Sequence, residues 1–197
     1  MATTGGTIDA PEYPLRLEVE YPEALNRWLV LIKWLLAIPQ ILIVYVLVTV
    51  ASVIHLIAFF AILFTTRYPE DLFRFVVNIY RWQANLYAYV GLMRDEYPPF
   101  SWEPGQYPVT FEIDYPQELN RWLPLVKWLL ALPHYVILFF LGIAAAVVWV
   151  IAFFAILFTT AYPRGMFDFV VGVLRWSNRV NAYVYFMRDE YPPFSLK

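Results

Sequence analysis

Between residues 41 and 64 the chain presents 24 consecutive positions whose only clearly polar members are Thr49, Ser52 and His55. At 1.5 Å rise per residue such a helix is about 36 Å long, enough to cross a hydrocarbon core of about 30 Å with tilt. Residues 135–158 repeat the pattern. Ahead of each run lies a stretch, 23–38 and 118–132, of Leu, Ile, Ala and Trp carrying two spaced cations, which reads as an interfacial helix. Pro39 and Pro133 are expected to break or kink the chain there. Behind each run, 70–93 and 164–187, comes a helix with one polar stripe. In the first it is Arg74, Asn78, Arg81 and Asn85, spaced 4, 3 and 4; in the second it is Asp168, Gly172, Arg175 and Arg179. Residues 15–20 (LRLEVE) and 109–114 (VTFEID) alternate apolar and polar, the period of a half-buried strand. Tyr21-Pro22 and Tyr115-Pro116 stop each strand, because proline donates no ladder hydrogen bond.

Every element occurs twice because the sequence is one unit written twice. Residues 13–101 align with 107–195 without a gap at an offset of 94 residues, and more than half of the positions are identical. IAFFAILFTT and MRDEYPPFS recur unbroken. A repeat of this kind predicts one structural solution used twice and a pseudo-twofold axis. The expected organisation is a mobile Gly/Thr-rich segment over 1–12, a first membrane repeat over 13–101, a linker at 102–106 and a second repeat over 107–197. The predicted fold class is an all-α membrane protein of tandem duplicated helical units. Each unit has one long transmembrane helix, an N-terminal interfacial helix and a second, polar-striped helix, with short β-strands at the unit starts.

The relation between the units is open in two ways. If the striped helix crosses the bilayer, each unit has two crossings and the repeats run parallel. If it lies flat, each unit crosses once and the repeats are inverted. Both long runs carry the same basic flanks: Arg27 and Lys33 before, Arg67, Arg74 and Arg81 after; Arg121 and Lys127 before, Arg164, Arg175 and Arg179 after. Inverted neighbours are expected to differ in Lys/Arg bias. The equal flanks, and the chance for the two strands to pair, favour parallel repeats.

Composition agrees with lipid as the solvent. The chain is 61% hydrophobic and 20% aromatic, with mean hydropathy +0.55, against about 45–50% apolar residues in globular domains. A net charge of −2 recruits no nucleic acid. With no cysteine, disulfides, thiolate catalysis and Cys-ligated metal are excluded. The first twenty residues lack an apolar core, so no cleavable signal peptide is expected.

Chemistry is sparse. No Ser-His-Asp set, H-E-x-x-H, P-loop or GxGxxG is present, and the expectation is a non-enzymatic protein with no metal and no cofactor. His55 aligns with Trp149 and His134 with Gln40, so a bis-histidine haem pair is not expected; His55 reads as a neutral imidazole bonded inside the bundle, with axial ligation of a haem or chlorin as the alternative. The Arg-Asp-Glu runs at 94–96 and 188–190 read as helix ends at the surface, followed by rigid Tyr-Pro-Pro-Phe arms. The leading binding candidate is the arginine stripe: Arg74, Arg81, Trp82, Arg175, Trp176 and Arg179. Guanidinium takes phosphate in a bidentate grip, and tryptophan sits at headgroup level, so the stripe is expected to hold lipid headgroups or another anion. Internal pairing, for example Asp168 with Arg175, is the competing reading. Arg27, Trp28, Lys33, Trp34, Arg121, Trp122, Lys127 and Trp128 read as interfacial anchors, with the long cations snorkelling to the surface.

The motifs F-F-A-I-L-F-T-T-x-Y-P (59–69 and 153–163), Arg81-Trp82 with Arg175-Trp176, and Y-P-P-F-S (97–101 and 191–195) resemble the bacterial membrane family catalogued as domain of unknown function 4389, in two tandem copies. The resemblance implies a membrane location, expected to be the bacterial cytoplasmic membrane, and implies no activity. The function expected is a lipid-interacting scaffold or an accessory subunit of a larger membrane assembly. Its partners would be membrane lipids and either other membrane subunits or a second copy. A small oligomeric channel or transporter with an Arg/Asn-lined path is the alternative.

Overall fold

The computed structural model describes residues 13–197; the expectation of mobility over 1–12 lies outside them. In chain order the elements are strand β1 (Leu15–Val19), helix α1 (Leu29–Leu36), helix α2 (Ile38–Thr65), helix α3 (Glu70–Val90), strand β2 (Val109–Ile113), a 3-10 turn (Leu123–Leu125), helix α4 (Lys127–Leu130), helix α5 (Leu132–Thr159) and helix α6 (Arg164–Val184). The long helices begin at the prolines rather than after them. Pro39 and Pro133 sit in the first turn, where a missing N–H costs nothing. Both helices stop at a threonine in the left-handed conformation, Thr66 at φ 59° and Thr160 at φ 59°, and the following Tyr-Pro leads into α3 or α6.

The leading interfacial helices are shorter than the sequence suggests. In the first unit, Asn26 Oδ1 accepts the N–H groups of Trp28 and Leu29, so the helix starts only there. In the second unit Pro124 stands where the first has Val30, and the segment divides into the 3-10 turn and the one-turn α4. α2 is a continuous helix with no internal turn.

β1 and β2 form a two-stranded antiparallel ribbon in which Leu17 faces Phe111, Leu15 faces Ile113 and Val19 faces Val109. Leu17 and Phe111 are equivalent residues of the two units, so the pseudo-twofold axis passes between them, perpendicular to the ribbon. One face of the ribbon is buried through Leu15, Leu17, Val109, Phe111 and Ile113; the other exposes Arg16, Glu18, Thr110 and Glu112.

The strands are exchanged between units: β1 packs on α6 and β2 packs on α3. The flanking contacts come in matched pairs. Tyr21 Oη donates to the Tyr162 carbonyl and Tyr115 Oη to that of Tyr68. Leu25 N donates to Thr160 O, and Leu119 N to Thr66 O.

These contacts fix the direction of the helices. Along β2, Tyr115 stacks edge-on against Phe73, Phe111 O accepts from Arg81, and Tyr107 Oη reaches Glu96 O just past the end of α3. The strand segment is about 27 Å long and the helix segment about 26 Å, so α3 lies alongside β2 and runs against it. α6 lies against β1 in the same way. Because β1 and β2 are antiparallel, α3 and α6 are too. α2 and α5 pack as hairpins on α3 and α6, and they also run in opposite directions. The parallel arrangement favoured by the flanking charges is therefore not the one adopted. The strands pair along the length of the helices rather than beyond their ends. The molecule is layered: ribbon, then α3 and α6, then α2 and α5.

Candidate functional site

The polar stripe of α3 and α6 is aimed at the ribbon and at the chain segments that follow each helix. Arg81 Nε donates to Phe111 O at 3.2 Å, and its Nη1 to Asn78 Oδ1 and Trp102 O. Arg175 repeats this with Leu17 O and Leu196 O, both at 3.0 Å. The two guanidiniums thus hold the exchanged strands by their central carbonyls. Arg179 is 7% exposed and donates to Lys197 O. Arg74 is exposed and paired with Glu70 one turn back. Asp168 pairs with Arg164 at 3.4 Å, not with Arg175. Trp82 and Trp176 are buried: the first indole N–H donates to Gln40 Oε1 at 2.6 Å, the second to His134 Nδ1 at 3.1 Å. The stripe expected on headgroups has most of its donors turned inward.

The anchor residues divide. Trp28, Trp34, Trp122 and Trp128 are widely exposed, Trp28 at 70%, and Arg27 and Arg121 are exposed with them. Lys33 and Lys127 do not snorkel. Each is 1% exposed. Lys33 Nζ meets Asp95 Oδ1 at 2.6 Å and the Arg94 carbonyl at 2.8 Å; Lys127 meets Asp189 and the Arg188 carbonyl in the same way. Tyr89 and Tyr183 lie under the two ammoniums. Burial pulls both ammoniums below their ordinary value, against the opposing pull of the aspartates. The other carboxylate oxygen of Asp95 accepts Asn26 N–H, and that of Asp189 accepts Asn120 N–H. The Arg-Asp-Glu run is thus a clamp that ties the end of the striped helix to the start of the unit. The arm that follows folds back: Gln40 Nε2 donates to Pro98 O, Tyr97 Oη reaches Leu36 O and Tyr191 Oη reaches Leu130 O.

Both nitrogens of His55 are occupied, Nε2 with Tyr80 Oη at 2.7 Å and Nδ1 with Tyr68 Oη at 3.2 Å, and the ring stacks on Tyr185 of the other unit. A metal-ligating imidazole needs a free lone pair, so axial ligation by His55 does not fit. Its counterpart Trp149 donates instead to Val90 O across the same interface. His134 stacks on Phe194 and is fully buried. Among the described residues no group of three or more His, Asp or Glu stands close enough to hold a metal ion.

The feature that remains is a surface. On α2 the buried positions form one stripe (Gln40, Val44, Ala51, Ile54, His55, Ala58, Ile62), and the rest of the helix exposes residues such as Leu42, Tyr45, Val53 and Phe64. On α5 only His134, Ala152 and Ile156 are buried. Both helices are long and apolar enough to cross a membrane. Residues 27–101 and 122–195 each match the family model described as Domain of unknown function (DUF4389). The chain belongs to this family, in two tandem copies. The two matched segments begin after β1 and β2 respectively, so the exchanged ribbon lies outside both. No curated protein and no solved structure matches the chain.

The aspartate–lysine clamp is the element that sequence reasoning missed. The signal was present: Lys33, Asp95, Asn26 and Tyr107 all keep their identity in the other unit, while the stripe changes Arg74 for Asp168 and Asn85 for Arg179.

Proposed function

We propose that this DUF4389 protein is a non-enzymatic membrane protein whose exposed long helices are wetted by acyl chains, and that it serves as a lipid-embedded scaffold or accessory subunit. One observation carries the reading: α2 and α5 bury a single narrow stripe and leave Leu, Ile, Val and Phe uncovered on the remaining faces. Monomeric soluble proteins rarely leave a contiguous apolar patch beyond a few hundred Å². The four exposed tryptophans, next to Arg27 and Arg121, suit the boundary between headgroups and hydrocarbon. The arginines of the stripe support the ribbon in this reading, and lipid is gripped mainly by apolar contact.

An alkaline wash of membranes tests it. The chain is expected to stay in the pellet and to be released only by detergent. Recovery as a monodisperse species in detergent-free buffer would contradict the proposal.

A further inference from the structure

The two long helices meet the membrane under three constraints that conflict if either of them crosses it. α2 and α5 are antiparallel, so crossing helices would run in opposite directions. Yet their basic flanks are alike, whereas helices inserted in opposite directions carry opposite Lys/Arg bias. The third constraint is the ribbon. In an inverted crossing pair the twofold axis lies in the membrane midplane, and here that axis passes through Leu17 and Phe111. Exposed Arg16, Glu18 and Glu112 would then stand within a residue or two of the bilayer centre. Charge at that depth is disfavoured.

All three constraints are met if the axis is turned through a right angle. Resting on the membrane reading above, we propose that neither long helix crosses the bilayer. The molecule lies half-immersed in a single leaflet, with its pseudo-twofold axis along the membrane normal, α2 and α5 flat among the acyl chains and the charged face of the ribbon in water. The layering then follows the polarity gradient. The ribbon presents Arg16, Glu18, Thr110 and Glu112 outward; α3 and α6 are two-faced helices with their polar stripe towards the ribbon and their apolar side on α2 and α5. A helix is about 10–12 Å across with its side chains, which fits the roughly 15 Å of hydrocarbon in one leaflet. Both ends of both long helices lie at one depth, so like flanks need no opposite bias. The partner is one lipid leaflet, met by α1, α2, α4 and α5 together.

The chain has no native cysteine, so single probes report cleanly. Arg67→Cys and Ala161→Cys mark the ends of α2 and α5, which are equivalent positions at opposite ends of the molecule, and Arg16→Cys marks the ribbon; all three residues are exposed. Each full-length variant is treated in intact cells with a membrane-impermeant maleimide before and after permeabilisation. The expected result is that all three react from the same side. Reaction of positions 67 and 161 from opposite sides overturns the half-immersed arrangement and leaves the membrane reading standing. Release of the untreated chain by the alkaline wash overturns both, so the two failures are distinguishable.

Discussion

At the scale of single residues, the most instructive pair is Lys33 and Lys127. Their spacing from tryptophan suggests snorkelling cations, but each ammonium is buried against an aspartate and a backbone carbonyl. Removing one partner of such a pair leaves the other charge without compensation, which costs far more than losing both. Asp95 is partly exposed, so the cost falls towards the lower end of the usual range. Lys33→Met is expected to destabilise the protein by about 2–4 kcal/mol, and adding Asp95→Asn should recover a large part. Denaturation in detergent measures both; an additive double variant would show that the clamp is not a coupled pair. The repeat marks Lys33 and Asp95 as retained in both units, but not as partners: they are 62 positions apart, and nothing local marks which of several charges turns inward.

At the scale of elements, the long helices and strands were legible and their partners were not. A 24-residue apolar run and a five-residue alternation each carry a period that needs no tertiary information. The failure over 23–38 and 118–132 has local causes, the Asn26 cap and Pro124. The direction of the polar stripe was illegible, because a stripe facing headgroups and one facing carbonyls of a distant strand have the same spacing. Gly172 shows how tight that second arrangement is. A Cβ there would stand 2.8 Å from Leu196 O and 2.8 Å from Leu196 Cβ. Gly172→Ala is therefore expected to push the final arm off α6, at about 1–3 kcal/mol, and to make residues 191–197 the first site of limited proteolysis. An unchanged digestion pattern would show that the arm does not rest on Gly172.

At the scale of the whole molecule, duplication and strand exchange make one argument. Each unit's first strand packs on the other unit's striped helix, so a single unit lacks its own cover. Residues 1–104 expressed alone in detergent are expected to form a homodimer with Leu17 opposite Leu17 of the second copy, and Leu17→Asp should abolish it. A folded monomer in size-exclusion light scattering would contradict the exchange. The pseudo-twofold was legible from the repeat; its direction was not, because it depends on how two five-residue strands pair. The equal basic flanks pointed to parallel units, and the same flanks now fit helices that lie flat.

The central claim is that acyl chains, and not water, cover α2 and α5. Nitroxide probes in vesicles address it directly, placed singly at Val53 and Val147, equivalent exposed positions on the two long helices, and at Thr110 on the outer face of the ribbon. Dissolved oxygen is expected to reach positions 53 and 147 while a water-soluble nickel complex does not, and the complex is expected to reach position 110 freely. Equal access of the nickel complex to all three positions would contradict it.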